Sequence, residues 1–165
     1  MPWMRKRSRP EPQPLPEVPP GPPAARLHDW FARNGIAIAP ASQEAVAALE
    51  ARHEVRLPED FRAYLLAAGP AGENMDDVGI KWWPLAEIGS VPEGLGAADR
   101  PQPKYLLVAD YLVWCYAWAI ACTEDANHGR VTLVGGGPGF VADSFTEFVD
   151  LCLVDDPRIH GNNRP

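Results

Sequence analysis

YLLVADYLVWCYAWAIAC, running from Tyr105 to Cys122, is the stretch on which the fold turns. It is rich in β-branched, aromatic and small residues and holds one charge, Asp110, a composition that favours strand. Asp110-Tyr111 divides it into a first strand, Tyr105 to Ala109, and a second, Val113 to Cys122. Along the second, Leu112, Trp114, Tyr116, Trp118 and Ile120 point one way, and Val113, Cys115, Ala117, Ala119 and Ala121 point the other. Both faces are apolar, which predicts a central strand. The small face admits a closely packed helix, and the large face must be covered by something else or used for binding. A membrane span over Leu106 to Cys122 would have 17 residues, a bare minimum, with Asp110 inside it and no flanking Lys/Arg cluster, so the strand reading stands.

Outward from this stretch, Arg130 to Val134 is a third strand after the turn Thr123 to Gly129, and the short connections predict an antiparallel meander. Upstream, Ile80 to Trp83 is a short aromatic strand. Trp83-Pro84-Leu85-Ala86-Glu87-Ile88 reads as a turn leading into one helical turn, and residues 89–103 form a long Gly- and Pro-rich connection. Helical spacing marks the N-terminal side. Leu27, Trp30 and Phe31 share a face before Gly35. Ser42 caps a helix with Glu44 in its first turn and Val46, Leu49 and His53 on one side. A helix starting at Pro58 buries Phe61, Tyr64, Leu65 and Ala68 and stops at Gly69. At the C-terminal side Ser144-Phe145-Thr146-Glu147 forms a capping box, followed by the apolar face Phe145, Phe148, Val149, Cys152 and Leu153. The fold class expected is therefore α+β: a single domain whose twisted antiparallel sheet carries N-terminal helices and a C-terminal helix.

The chain has 165 residues, 46% of them hydrophobic, as one globular domain requires. Nine of its 19 prolines fall in residues 2–23, beside Arg5, Lys6, Arg7 and Arg9, so residues 1–23 are expected to be a disordered basic leader. The domain is expected over 24–154, with 155–165 as a tail. Residues 27–165 hold ten basic and twenty acidic groups, a net charge of minus ten, the wrong sign for gripping nucleic acid. Three cysteines cannot make a closed disulfide set, and no apolar signal segment follows the basic cluster; a cytoplasmic protein is expected.

The order of signals resembles the SUKH superfamily: a helix pair, Leu57-Pro58-Glu59-Asp60-Phe61-Arg62-Ala63-Tyr64-Leu65-Leu66, Trp83-Pro84-Leu85, Val108-Ala109-Asp110-Tyr111 entering an aromatic strand, then Val141-Ala142-Asp143-Ser144-Phe145-Thr146-Glu147-Phe148. The resemblance covers roughly residues 40 to 153. That superfamily includes fungal Smi/Knr cell-wall regulators and many bacterial immunity proteins. It implies helices on one antiparallel sheet, no cofactor, and function by protein binding: neutralisation of a cognate toxin domain, often a nuclease. The basic leader and the connection from Gly89 to Pro103 depart from its simplest members.

Chemistry of other kinds finds little footing. No Gly-x-Ser-x-Gly elbow is present, and Cys115, Cys122 and Cys152 are expected as buried small hydrophobes. His28, His53, His128 and His160 lack metal-ligand spacing, so neither a metal nor a catalytic residue is assigned. Gly135-Gly136-Gly137-Pro138-Gly139 lacks a following Gly-Lys-Ser/Thr and reads as a turn rather than a phosphate cradle. What stands out is acidity beside aromatics. Trp83 and Trp114 are read as core. Trp82 and Tyr111 are open between core and surface, since strand neighbours face opposite ways. The partner-binding candidates are Asp76, Asp77, Trp82, Glu87, Asp110, Tyr111, Glu124 and Asp125. Aromatic anchors among acids suit a toxin with a basic active cleft, bound by a monomer without catalysis, membrane or nucleic acid. A regulatory adaptor of the Smi/Knr type is the competing expectation.

Overall fold

The computed structural model describes residues 17–18, 20–91, 104–135 and 139–161. Residues 1–16 and 19 of the expected leader fall outside these, while its last residue, Pro23, opens the first helix; most of the 89–103 connection and the centre of the glycine run also fall outside. The helices are α1 (Pro23–Arg33), α2 (Gln43–His53), α3 (Glu59–Ala68) and α4 (Phe145–Leu153). The strands are β1 (Ile80–Trp82), β2 (Tyr105–Tyr111), β3 (Tyr116–Ala121), β4 (Val131–Val134) and β5 (Phe140–Ala142). They form one sheet in the order β1-β2-β3-β4-β5, with every neighbouring pair antiparallel. This is the expected α+β domain, with a fifth strand that sequence reading did not separate from the segment before α4.

The caps sit where residue chemistry puts them. Ser42 Oγ accepts the Ala45 N–H at 3.1 Å, and Ser144 Oγ accepts the Glu147 N–H at 3.0 Å. The Glu147 carboxylate folds back onto the Asp143 N–H at 2.8 Å, so donors at the head of α4 are satisfied from both sides. Asp60 then ties α3 to α4, accepting both the Thr146 N–H and hydroxyl at 2.8 and 2.9 Å. Ser144→Ala should cost about 1 kcal/mol, the usual worth of an N-cap, read as a lower urea midpoint at unchanged slope.

The strand faces are used in the opposite sense to the one expected. Trp118 packs on Phe148 of α4 at 5.5 Å between ring centroids, and Trp82 packs on Phe31 of α1 and on Phe148. The large face thus meets the helices, and the small face of Ala117, Ala119 and Ala121, also buried, lies on the other side. The reason is volume: the fully buried rings of Trp82, Trp118, Phe31, Phe61, Phe145 and Phe148 pack on one another between the sheet and the helices, a space that the alanine face would leave unfilled. Order also continues into the stretch expected as a tail. Pro157–His160 forms a 3-10 turn, Ile159 is fully buried, and its carbonyl accepts the Trp118 indole N–H at 2.9 Å.

Candidate functional site

Three of the eight candidates are interior. Asp76 is 6% exposed and is a hub for donors: its Oδ2 accepts the indole N–H of Trp30 at 2.9 Å and of Trp82 at 3.1 Å, and its Oδ1 accepts the Ile80 N–H at 2.8 Å. Burial pushes its carboxyl above the ordinary range against the lowering pull of those hydrogen bonds. Trp82 is buried with it. Asp110, with no exposed surface, accepts the Trp83 indole N–H at 2.8 Å and the Trp114 backbone N–H at 3.0 Å. These side chains are thus framework and not contact surface, because each buried indole N–H requires an acceptor and the two carboxylates supply it.

The others are spread over the surface rather than gathered into one site. Asp77 is exposed, and its backbone N–H is held by the Asn34 side chain at 2.8 Å. Glu87 pairs with Lys81 at 2.8 Å, and Glu124 with Lys104 at 3.6 Å. Asp125 closes its own turn, accepting from the Thr123 hydroxyl and the Asn127 N–H, which hold its carboxyl below the usual range. With Glu124 it lines an open groove of about 870 Å3, to which Arg56, Glu59, Arg62 and His128 also contribute. Half-buried Tyr111 stacks on Tyr116 at 4.9 Å. The Tyr116 hydroxyl bonds His160 Nδ1, whose Nε2 meets Asp155 at 2.9 Å. Asp77 and Tyr111 belong to one end of the sheet, and Glu124 and Asp125 to the other. β3 separates them by about 20 Å at roughly 3.3 Å per residue.

What sequence reading missed lies between β2 and β3. The strand does not run straight from Val113: β2 extends through Asp110-Tyr111, and the turn is Leu112 to Cys115. Leu112, Val113 and Trp114 have φ of 44°, 55° and 69°, three successive left-handed residues without a glycine. Each costs about 1–2 kcal/mol for an L-residue, and a β-branched residue such as Val113 suits the region least. The turn brings Trp114 and Cys115 to the surface, where both were expected in the core. Cys122 and Cys152 are buried as expected, and burial raises both thiols. No glycine, proline or asparagine flags the turn; the clues are Asp110, the one charge in the 18-residue stretch, and the need for so long an apolar run to reverse and pair with itself.

Among the described residues, no three His, Cys, Asp or Glu side chains cluster as they would around a metal ion, and no helix is long and apolar enough to cross a membrane. No curated protein matches the chain at a significant level. The sequence model of the SMI1 / KNR4 family (SUKH-1) matches residues 40–151, the span from the approach to α2 through most of α4 and more than half of the chain. With an antiparallel sheet and its helices filling that span, the chain belongs to the SMI1 / KNR4 family (SUKH-1).

Proposed function

We propose that this chain is an immunity protein that binds a cognate toxin domain in the cytoplasm of the producing cell and occludes its active cleft without catalysing a reaction. Family membership carries this reading. The charge supports it: a body of net charge minus ten, with Asp77 and Glu124 presented to solvent, can stand in for the phosphates that a basic nuclease cleft binds. Binding by a monomer, with no cofactor, is part of the same proposal.

The test is co-purification with the product of the neighbouring gene, followed by association rates at low and high salt. Asp77→Lys combined with Glu124→Lys should slow association about tenfold at low salt and flatten its salt dependence, with thermal stability unchanged because both side chains are exposed. Tight binding at a salt-independent rate would remove the electrostatic part. Failure to bind any neighbouring toxin would favour the adaptor reading, in which the proline-rich leader docks to other proteins.

A further inference from the structure

We infer that the β2–β3 hairpin tip, Leu112-Val113-Trp114, is the apolar anchor of the chain, and that it seats in an apolar socket rimmed by Lys or Arg on the toxin domain. This rests on the reading above and adds the surface that does the binding.

Among the described residues, the exposed large hydrophobics are Met75, Leu112, Val113 and Trp114, at 45, 48, 76 and 46% exposure. Three of them form the tip, and Met75 lies on the loop that carries Gly79, against which the tip rests. Elsewhere among the described residues the large apolar side chains are buried or half-buried, so the exposure is local and selective. A turn that only joined two strands would use Asn-Gly or a similar pair and avoid both the left-handed strain and the exposure. Here the strain is held in place from beneath. The Leu112 N–H donates to the Gly79 carbonyl at 2.9 Å, the Cys115 N–H to the Tyr111 carbonyl at 2.9 Å, and the Trp114 N–H to Asp110. Gly79 has φ of +92°, and a Cβ there would lie 2.7 Å from Leu112 Cδ2, so the tip is fitted onto a glycine. Trp83 braces the Trp114 ring edge-on at 5.2 Å. Backbone strain over-determined by its surroundings, presenting a tryptophan and two aliphatic side chains in fixed positions, is the form of a preorganised hot spot.

The rim names the partner. Asp77 is exposed on the loop below the tip, and Asp155 is exposed beside His160 and Tyr116 at the hairpin base. An apolar knob with an acidic rim complements an apolar socket with a basic one. A second copy of this chain would bring the same acids against these, so tip-to-tip pairing is disfavoured.

The experiment measures binding of the full chain to the product of the neighbouring gene. The variants are Val113→Asp, Val113→Gly, Trp114→Ala and, on the exposed face of α2, Ala48→Lys. Val113→Asp should weaken binding at least 100-fold, mainly through faster dissociation, and Trp114→Ala at least tenfold. Ala48→Lys should leave the dissociation rate unchanged. Val113→Gly supplies the distinguishing signature: a Tm at or above that of the wild type, since glycine is at ease in this conformation, together with weaker binding. Wild-type binding that Val113→Asp leaves intact would overturn the tip and spare the immunity reading, whereas no wild-type binding would overturn both. A wild-type dimer that Val113→Asp converts to monomer would assign the tip to self-association and overturn the proposal as well.

Discussion

Asp110→Ala should destabilise the domain by about 3–5 kcal/mol, because it removes a buried acceptor and leaves one buried and one part-buried donor unpaired at about 1–3 kcal/mol each, with a cavity added. The donors are the buried Trp83 indole N–H, at 2.8 Å, and the part-buried Trp114 backbone N–H, at 3.0 Å. The readout is a lower urea midpoint with an unchanged slope, and a loss under about 1 kcal/mol would show that the carboxylate is not the support described here. The same change should impair partner binding even though the exposed side chains of the tip are untouched, because Asp110 is what holds Trp114 in the turn. Asp110→Asn should fall between the two, since its amide keeps one acceptor and turns an N–H towards donors.

Asp76→Ala is expected to cost a similar amount, about 3–5 kcal/mol, by orphaning three donors at once: two indoles and the Ile80 N–H that starts β1. Its sequence neighbour is the control. Asp77→Ala should stay within about 0.5 kcal/mol, as expected of an exposed side chain whose residue is held through its backbone N–H. Equal effects from the two would refute the division between framework and surface acids. Asp76 also has a pH signature. Its folded-state value is raised above the ordinary 3.8, chiefly by burial, so the native state holds the proton more tightly than the unfolded chain. The stability this contributes is fully present below 3.8 and is lost as pH rises through the folded-state value. The stability difference between wild type and Asp76→Asn should therefore shrink from about pH 3 towards neutrality, and a difference that grew instead would reverse the assigned shift.

Asp76 and Asp77 show where reading a sequence stops. Side by side in one polar loop they are indistinguishable, yet one is buried and the other exposed, because Trp30 lies 46 positions before Asp76 and places an indole N–H against it. Asp110 is likewise enclosed by Trp83, 27 positions away. The helices, by contrast, were legible nearly in full: Ser42 and Ser144 as caps, and Phe61, Tyr64, Leu65 and Ala68 as the buried face of α3. Caps and helical spacing act over three or four residues, so the information is local. The antiparallel order of β2, β3 and β4 was legible for the same reason, since their short connections permit little else, whereas the pairing of β1 across a long connection and the fifth strand were not.

The sequence by itself determined that this is one acidic α+β domain, where its helices begin, and the family pattern over its middle. Only the tertiary structure decided which face of β3 meets the helices, which acids are framework, and where the central hairpin turns. Alternation along a strand is symmetric between its two faces, and the volume of the helix layer is what broke that symmetry in favour of Trp118. The turn at Leu112 to Cys115 has no local propensity to announce it. Its left-handed backbone is imposed by contacts with Gly79, which is distant in the chain, and with the buried carboxylate of Asp110, and contacts of that kind exist only once the chain has folded.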